Sequence, residues 1–332
     1  MKAYASVDLG GTTISCALAN SDLEILETSQ LPTHSQDGPE AVLARMGVAI
    51  EELLRAHDAE LMGLGLGVPG LVDIQSGQTL FLPNLPTQWR KVAVAEVLKE
   101  RLNCPVAVLN DARMATLGEL TFGVGKSEES ITMAFLTLGT GVGGGIAIDG
   151  KLRLGPLGAA GELGHQTALP DGPLCGCGNR GCLETLVSGP ALIGKGAWLI
   201  RCGRAPHLNQ QIQGDLNNLS PREMALAAEN GDEAVREVIR EAAGYLGIAV
   251  ANIVSAIHPQ FIVLGGGVAN LGELLFETVR ETIAQRVGMF PPSDVRVMPS
   301  ALGDHAGLWG GLALARSPEL CRSGLLDLGK ES

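Results

Sequence analysis

A chain of 332 residues, 45% hydrophobic and 18% charged, has enough apolar material for about two domains with real cores. Its formal net charge of −12 argues against nucleic acid as a partner, because phosphate backbones are met by basic faces. The 45 glycines, set against an aromatic content of 3%, describe a chain of tight turns and close backbone approaches, as phosphate-binding folds require.

Residues 3–9 form a β-rich run into Gly10-Gly11-Thr12-Thr13, and residues 14–19 form a second run. A strand, a glycine turn and a strand aim backbone N–H groups and two hydroxyls into one concavity, which suits phosphate oxygens. Asp8, at the strand's end, is placed to hold Mg²⁺ through water. Taken alone, the pattern is equally that of a plain hairpin. Apolar spacing predicts a helix over 39–57, then a strand over 61–68 closed by Pro69-Gly70. A short strand over 79–82 leads into Pro83-Asn84-Leu85, followed by a helix over 89–102 and a strand over 105–109. That strand ends in Asn110-Asp111, and polar side chains just past a strand's C-terminal end are where open α/β sheets place ligands. An N-cap for the helix beginning near Ala112 would explain one of the two residues but not both.

Residues 131–151 repeat the opening device: a strand, the turn Gly139-Thr140-Gly141-Val142-Gly143-Gly144, and a strand. Two glycine turns at matching places of two α/β halves indicate an internal duplication, the second half starting at residue 131.

The stretch 161–184, GELGHQTALPDGPLCGCGNRGCLE, then concentrates the metal chemistry. His165, Cys175, Cys177 and Cys182 make a Cys₃His set, which matches the tetrahedral preference of a structural Zn²⁺. Gly176, Gly178 and Gly181 let the loop fold tightly, and Gly172-Pro173 disfavour a continuous helix after His165. Glu162 and Glu184 bracket the loop and are not needed by a filled site, so they would present carboxylates to something else. The glycine turns at 10–13 and 139–144 are expected not to depend on this loop.

Helices are predicted over 186–201, 221–230 and 232–257, with a polar loop over 207–220. A strand over 261–264 meets Gly265-Gly266-Gly267 ahead of a helix over 271–287, a seat for a nucleotide. A strand over 295–299 and a helix over 303–316 follow, and the tail beyond Ser317 is expected to be mobile. Seven cysteines, an odd number without a signal peptide ahead of them, are expected in a reducing cytoplasm. The longest apolar stretch, 242–257, contains Tyr245, Asn252 and Ser255 and reads as a buried helix rather than a membrane span.

With DLGGT at 8–12, LND at 109–111, GTGVGGG at 139–145, GELGH at 161–165, CGCGNRGCLE at 175–184 and GGG at 265–267, the chain resembles the ROK family of sugar kinases and related repressors over nearly its whole length. The resemblance implies an α/β, actin-like, two-lobed ATPase fold of duplicated ribonuclease H-like units. The lobes are expected over 1–111, completed by the C-terminal helix at about 303–316, and over 112–302 with the zinc loop 165–182. It further implies transfer of the ATP γ-phosphate, with Mg²⁺, to a hexose hydroxyl, usually the 6-hydroxyl, and a homodimer. By resemblance Asp111 is the general base. Gly70, Asn84, Asn110, Glu162, His165 and Glu184 would surround the sugar. Asp8, Gly10, Gly11, Thr12, Thr13, Gly139, Thr140, Gly141, Gly143, Gly265, Gly266 and Gly267 would line the nucleotide.

The chemistry fits these residue types. A sugar hydroxyl is a poor nucleophile at neutral pH, and a carboxylate that accepts its proton suits phosphoryl transfer. A zinc-bound imidazole also keeps a second nitrogen that can donate to a sugar hydroxyl. Many relatives carry a lysine in or just after the first phosphate turn, whereas Thr13, Ile14 and Ser15 are neutral, which leaves Mg²⁺, N–H groups and hydroxyls to meet the phosphate charge. The stretch Pro83-Asn84-Leu85 resembles the glucokinase branch, with N-acetylhexosamine kinase and fructokinase as alternatives on the same scaffold. A repressor would need a DNA-binding module ahead of Asp8, and none is expected in the seven residues that precede it here.

Overall fold

β1 (Lys2–Leu9) turns at Gly10 into β2 (Thr13–Asn20), and the two pair antiparallel from Leu9↔Ile14 to Ala3↔Asn20. β3 (Ile25–Pro32) continues antiparallel along β2. The sequence reading missed this strand because, at the sheet edge, it exposes Glu27 and Thr28 and lacks a clean apolar alternation. α1 (Pro39–Ala56) starts with proline in its first turn and buries Val42, Leu43, Met46, Ile50 and Leu53, one helical face. β4 (Glu60–Val68) lies parallel to β1, and β5 (Leu71–Asp73) pairs with β6 (Gln78–Phe81) in a small ribbon. α2 (Val94–Leu102) then leads to β7 (Val106–Asn110), parallel to β4, and α3 (Asp111–Thr121). The first sheet therefore runs β3-β2-β1-β4-β7.

The computed structural model describes residues 1–128 and 130–321. β8 (Met133–Leu138), β9 (Val142–Ile148) and β10 (Lys151–Arg153) follow, then α4 (Glu184–Val187), α5 (Gly189–Arg201), α6 (Pro206–Gln211), α7 (Pro221–Glu229) and α8 (Glu233–Ile257). β11 (Phe261–Gly265), α9 (Glu273–Arg286), β12 (Arg296–Pro299) and α10 (Ala306–Arg316) close the order. The second sheet runs β10-β9-β8-β11-β12, with β11 parallel to both β8 and β12 and β10 antiparallel to β9. Both sheets thus repeat one plan of five strands, and the duplication expected from the two glycine turns is present in the topology. α8 is long and apolar enough to cross a membrane by length and composition, but 56% of that window is buried, as in a core helix.

Two bodies emerge from the contacts: residues 1–130 with 145–161 and the segment from Asp304, and residues 131–144 with 162–303. The boundary expected after residue 111 falls instead after Ser130, because α3 packs closely on α10 in the first body. Backbones meet there without side chains between them. A Cβ on Gly118 would strike the Ala306 carbonyl, one on Gly310 the Met114 carbonyl, and one on Gly65 the Gly311 carbonyl.

Several local expectations change. The helix expected over 89–102 starts only at Val94. Pro86–Trp89 instead forms a 3₁₀ helix in which Trp89 is 1% exposed; its carbonyl accepts from the Thr79 hydroxyl, Lys91 N donates to the Thr79 carbonyl at 2.8 Å and Thr79 N to the Val92 carbonyl at 2.9 Å, so the segment ahead of Val94 is held outside the helix. The polar stretch 207–220 holds α6, whose Leu208 is buried. Of the tail, Pro318–Cys321 forms a 3₁₀ turn with Cys321 buried, and the rest lies outside the described residues.

Candidate active site

In the first body, β1, β4 and β7 are parallel neighbours, so the residues at their C-terminal ends gather at one edge of the sheet. Asp8 stands there on β1 and Asp111 begins α3 directly after β7. Gly67 and Gly307 make the room: a Cβ would sit 3.3 Å from Asp8 Oδ1 in the first case and 2.8 Å from Oδ2 in the second. Burial, and secondarily the Asp111 carboxylate, push the Asp8 carboxyl up to about 7. Asp111 Oδ1 accepts from its neighbour's amide, Ala112 N, at 2.7 Å.

Asn110 caps α3. Its Oδ1 accepts from Ala112 N at 3.1 Å, Arg113 N at 3.2 Å and Arg113 Nη1 at 2.9 Å, and its Nδ2 donates to the Gly70 carbonyl at 3.2 Å. The capping role considered at the sequence level is therefore real for Asn110, and only its amide nitrogen keeps donor capacity. Gly70, at φ 140°, has a conformation that L side chains rarely adopt. Asn84 is exposed, and its carbonyl lies 3.5 Å from where a Gly11 Cβ would be. At the first glycine turn, Gly10 N donates to the Thr13 carbonyl at 2.9 Å, and Thr33 clamps the turn through bonds to the Thr12 and Gly10 carbonyls. Gly10 thus shapes the turn, while Thr12 and Thr13 are exposed at its tip.

In the second body the metal-ligating set assembles as expected: the ligand atoms of His165, Cys175, Cys177 and Cys182 all lie within 4.8 Å of one another. Cys175 Sγ is 3.6 Å from His165 Nδ1, and Cys177 Sγ is 3.6 Å from Cys182 Sγ. A tetrahedral ion with metal–sulfur and metal–nitrogen bonds of about 2.3 and 2.05 Å places its ligands roughly 3.6–3.8 Å apart, so the residues fit such an ion. Burial raises Cys175, and raises Cys182 to about 12, while the Asn179 backbone amide lowers Cys177. A bound divalent cation would settle the three as thiolates.

With Nδ1 facing the cluster, His165 Nε2 points toward Glu162 and lies 3.8 Å from its Oε2, beyond direct hydrogen-bond length. Glu184, expected at the sugar site, also reaches the second glycine turn. Its Oε2 accepts from Val142 N at 2.9 Å, and its Oε1 is 3.8 Å from Cys175 Sγ. The second glycine turn is further held by Gly189 N, which donates to the Gly139 carbonyl at 2.8 Å, and by Gly139 N, which donates to the Gly141 carbonyl at 2.9 Å. Leu163 and Gly164 pack directly against it, since a Cβ on Gly144 would meet Leu163 and one on Gly164 the Val142 carbonyl. The expected independence of this turn from the metal loop is thereby corrected. Thr140 is exposed at its tip, and Gly143 lies within β9.

β11 ends at Gly265, and a Cβ on Gly266 would come 2.6 Å from the Leu138 carbonyl, so the strand end closes against β8. No α-helix starts at the triple glycine: a 3₁₀ helix, Gly267–Leu271, intervenes before α9. The sequence reading missed Arg113, a cation 1% exposed on α3. Its signal was available, as a lone charge three residues past Asn110 in the run ARMATLG.

Two sheets of one plan, each entered by a strand, a glycine turn and a strand, define an actin-like, two-lobed α/β fold. The model of the ROK family matches residues 4–317, and the chain belongs to that family. A glucokinase of Halalkalibacterium halodurans is 34% identical over 323 residues, 95% of this chain and 96% of that protein. A glucokinase of Streptomyces coelicolor is 35% identical over 318 residues, 94% of this chain and 97% of that one. Among solved structures, the ROK family glucokinase from Streptomyces griseus in complex with glucose and AMPPNP is similar with a TM-score of 0.82 and 33% identity, covering 95% of this chain and 99% of that one.

Proposed function

We propose that this chain is an ATP-dependent glucose kinase that phosphorylates the 6-hydroxyl. The observation that carries the reading is the pair Asp8 and Asp111 at one edge of the first sheet, close enough for one carboxylate to raise the other, in a chain similar to glucokinases along nearly its full length. In this reading Asp111 accepts the proton of the 6-hydroxyl as that oxygen bonds to the γ-phosphorus. The bond from phosphorus to the bridging oxygen breaks, ADP leaves with the electron pair, and the proton remains on Asp111. Asp8 would hold Mg²⁺ through water, and the ion, when bound, neutralises phosphate charge. The tips of the turns at 10–13 and 139–143, with Gly265 to Gly267, would line the nucleotide. Gly70, Asn84, Asn110, Glu162, His165 and Glu184 would surround the sugar.

His165, Cys175, Cys177 and Cys182 would hold Zn²⁺. All four positions of a tetrahedral ion are then protein ligands, so the role is structural. The gap of 3.8 Å between His165 Nε2 and Glu162 Oε2 supports a hydroxyl shared between the two. The odd count of seven cysteines supports a cytoplasmic setting. A homodimer belongs to the reading through the family. Incubation with glucose and Mg·ATP tests the proposal: glucose-dependent release of ADP with glucose 6-phosphate as product is expected, and ADP release without a sugar phosphate contradicts it.

A further inference from the structure

We infer that Arg113 is the positioning residue of the sugar site, fixing the amide of Asn110 and the loop ahead of Glu162 with one guanidinium; this rests on the glucose-kinase reading. Arg113 projects from the first turn of α3 and is 1% exposed. Within its fork, Nη1 donates to Asn110 Oδ1 at 2.9 Å, Nη2 to the Ala159 carbonyl at 2.9 Å, and Nε to the Ala160 carbonyl at 3.0 Å. Asn110 in turn donates to the Gly70 carbonyl at 3.2 Å. Three chain segments, the end of β4, the end of β7 and the loop 154–161, are thereby joined through one side chain.

Each segment carries or adjoins a candidate sugar residue. Gly70 follows β4, Asn110 ends β7, and Gly161 and Glu162 directly follow the two bonded carbonyls. The loop is closed on itself by Ala160 N donating to the Leu154 carbonyl at 2.9 Å, which leaves the carbonyls of 159 and 160 to the guanidinium. Arg113 also reinforces the way the Asn110 amide faces. The backbone amides of Ala112 and Arg113 and the guanidinium all donate to Oδ1, which holds the oxygen toward α3 and the NH₂ group toward Gly70, so the remaining N–H has a set direction from which to donate to a sugar hydroxyl.

Helix capping alone does not require this arginine. Ser188 caps α5 and Ser220 caps α7 through a single hydroxyl each, accepting from Ala191 N and Glu223 N. Lysine could not replace it either, since an ammonium is a point donor and these three acceptors are met by a rigid planar fork.

The test uses the full chain with Arg113→Lys and Arg113→Met, measuring steady-state kinetics with glucose, AMPPNP binding by calorimetry and the thermal midpoint. Loss of a charge-assisted bond should raise the KM for glucose roughly tenfold in R113K and more in R113M, and lower kcat by less, while AMPPNP affinity stays within about twofold. A folded R113K whose glucose KM is unchanged overturns the inference. So does an AMPPNP affinity that falls in parallel with the glucose KM change, or the failure of both variants to fold, which would make Arg113 a residue of the fold only. If R113M alone fails to fold, R113K decides. Wild-type turnover in the same assay separates the two levels: absence of glucose 6-phosphate there refutes the glucose-kinase reading, whereas normal wild-type turnover with indifferent variants refutes only the role of Arg113.

Discussion

Glu184 accepts a hydrogen bond from the backbone amide of Val142 at 2.9 Å, while its other oxygen lies 3.8 Å from Cys175 Sγ. One carboxylate, two residues after the last metal-ligating cysteine, therefore spans from the Cys₃His cluster to the second glycine turn. Loss of a hydrogen bond to a charged acceptor costs about 1.5–3 kcal/mol. Glu184→Ala should accordingly raise the KM for ATP roughly tenfold or more, besides any effect on sugar. Glu184→Gln keeps an acceptor for Val142 N and should leave the ATP KM within about twofold. Steady-state kinetics on both variants check this, and an E184A enzyme with an unchanged ATP KM would show that the turn holds its shape without Glu184.

The same link sets what metal loss does. Cys177→Ala should release one Zn²⁺ per chain, lower the thermal midpoint and raise the KM for both glucose and ATP, because the loop supports Glu162, His165 and Glu184 together. Metal analysis, a thermal scan and kinetics on the variant measure this. Purified wild type that is fully active without stoichiometric zinc would refute the structural-metal role.

Asp8 gives a pH signature. Its carboxyl lies near 7 in the folded chain against an ordinary 3.8, chiefly through burial. Between those values the folded state holds a proton that the unfolded state has released, so stability falls as pH rises, by up to about 1.4 kcal/mol per pH unit from this group, and levels off above the folded value. Asp8→Asn removes that term. Without ligands, the variant should gain thermal midpoint relative to wild type as pH goes from about 5 to 8, while losing turnover. Equal pH slopes for the two proteins would contradict the buried-acid assignment.

Much of this was legible in the sequence where one residue type has one use. The C-x-C-x₄-C spacing with His165 named the metal cluster, and the two glycine turns named the duplication, because few other structures need those patterns. What stayed hidden depended on partners far along the chain. β3 exposes polar residues on a sheet edge and has no period to read. Trp89 ends a short 3₁₀ helix whose last carbonyl is held by Thr79, which overrides its place in an α-helical pattern. Arg113 and the Val142 amide gain meaning only when residues 46 and 42 positions away, Ala159 and Glu184, come within hydrogen-bond reach.

Asp111→Asn should cost about 10²–10⁴-fold in kcat while glucose binding stays close to wild type, since the substitution removes a proton acceptor and little shape. Turnover by rapid quench and glucose affinity by titration separate the two effects. A variant within about twofold of wild-type kcat would remove Asp111 from the role of general base.

The most direct measurement is kcat/KM for glucose, mannose, fructose, N-acetylglucosamine and N-acetylmannosamine with Mg·ATP as donor. A site that hydrogen-bonds each hydroxyl discriminates strongly against analogues that lack or replace one. Glucose should rank first and mannose next. A roughly tenfold preference for either acetylated sugar, or no phosphorylation of glucose at all, would contradict the assignment.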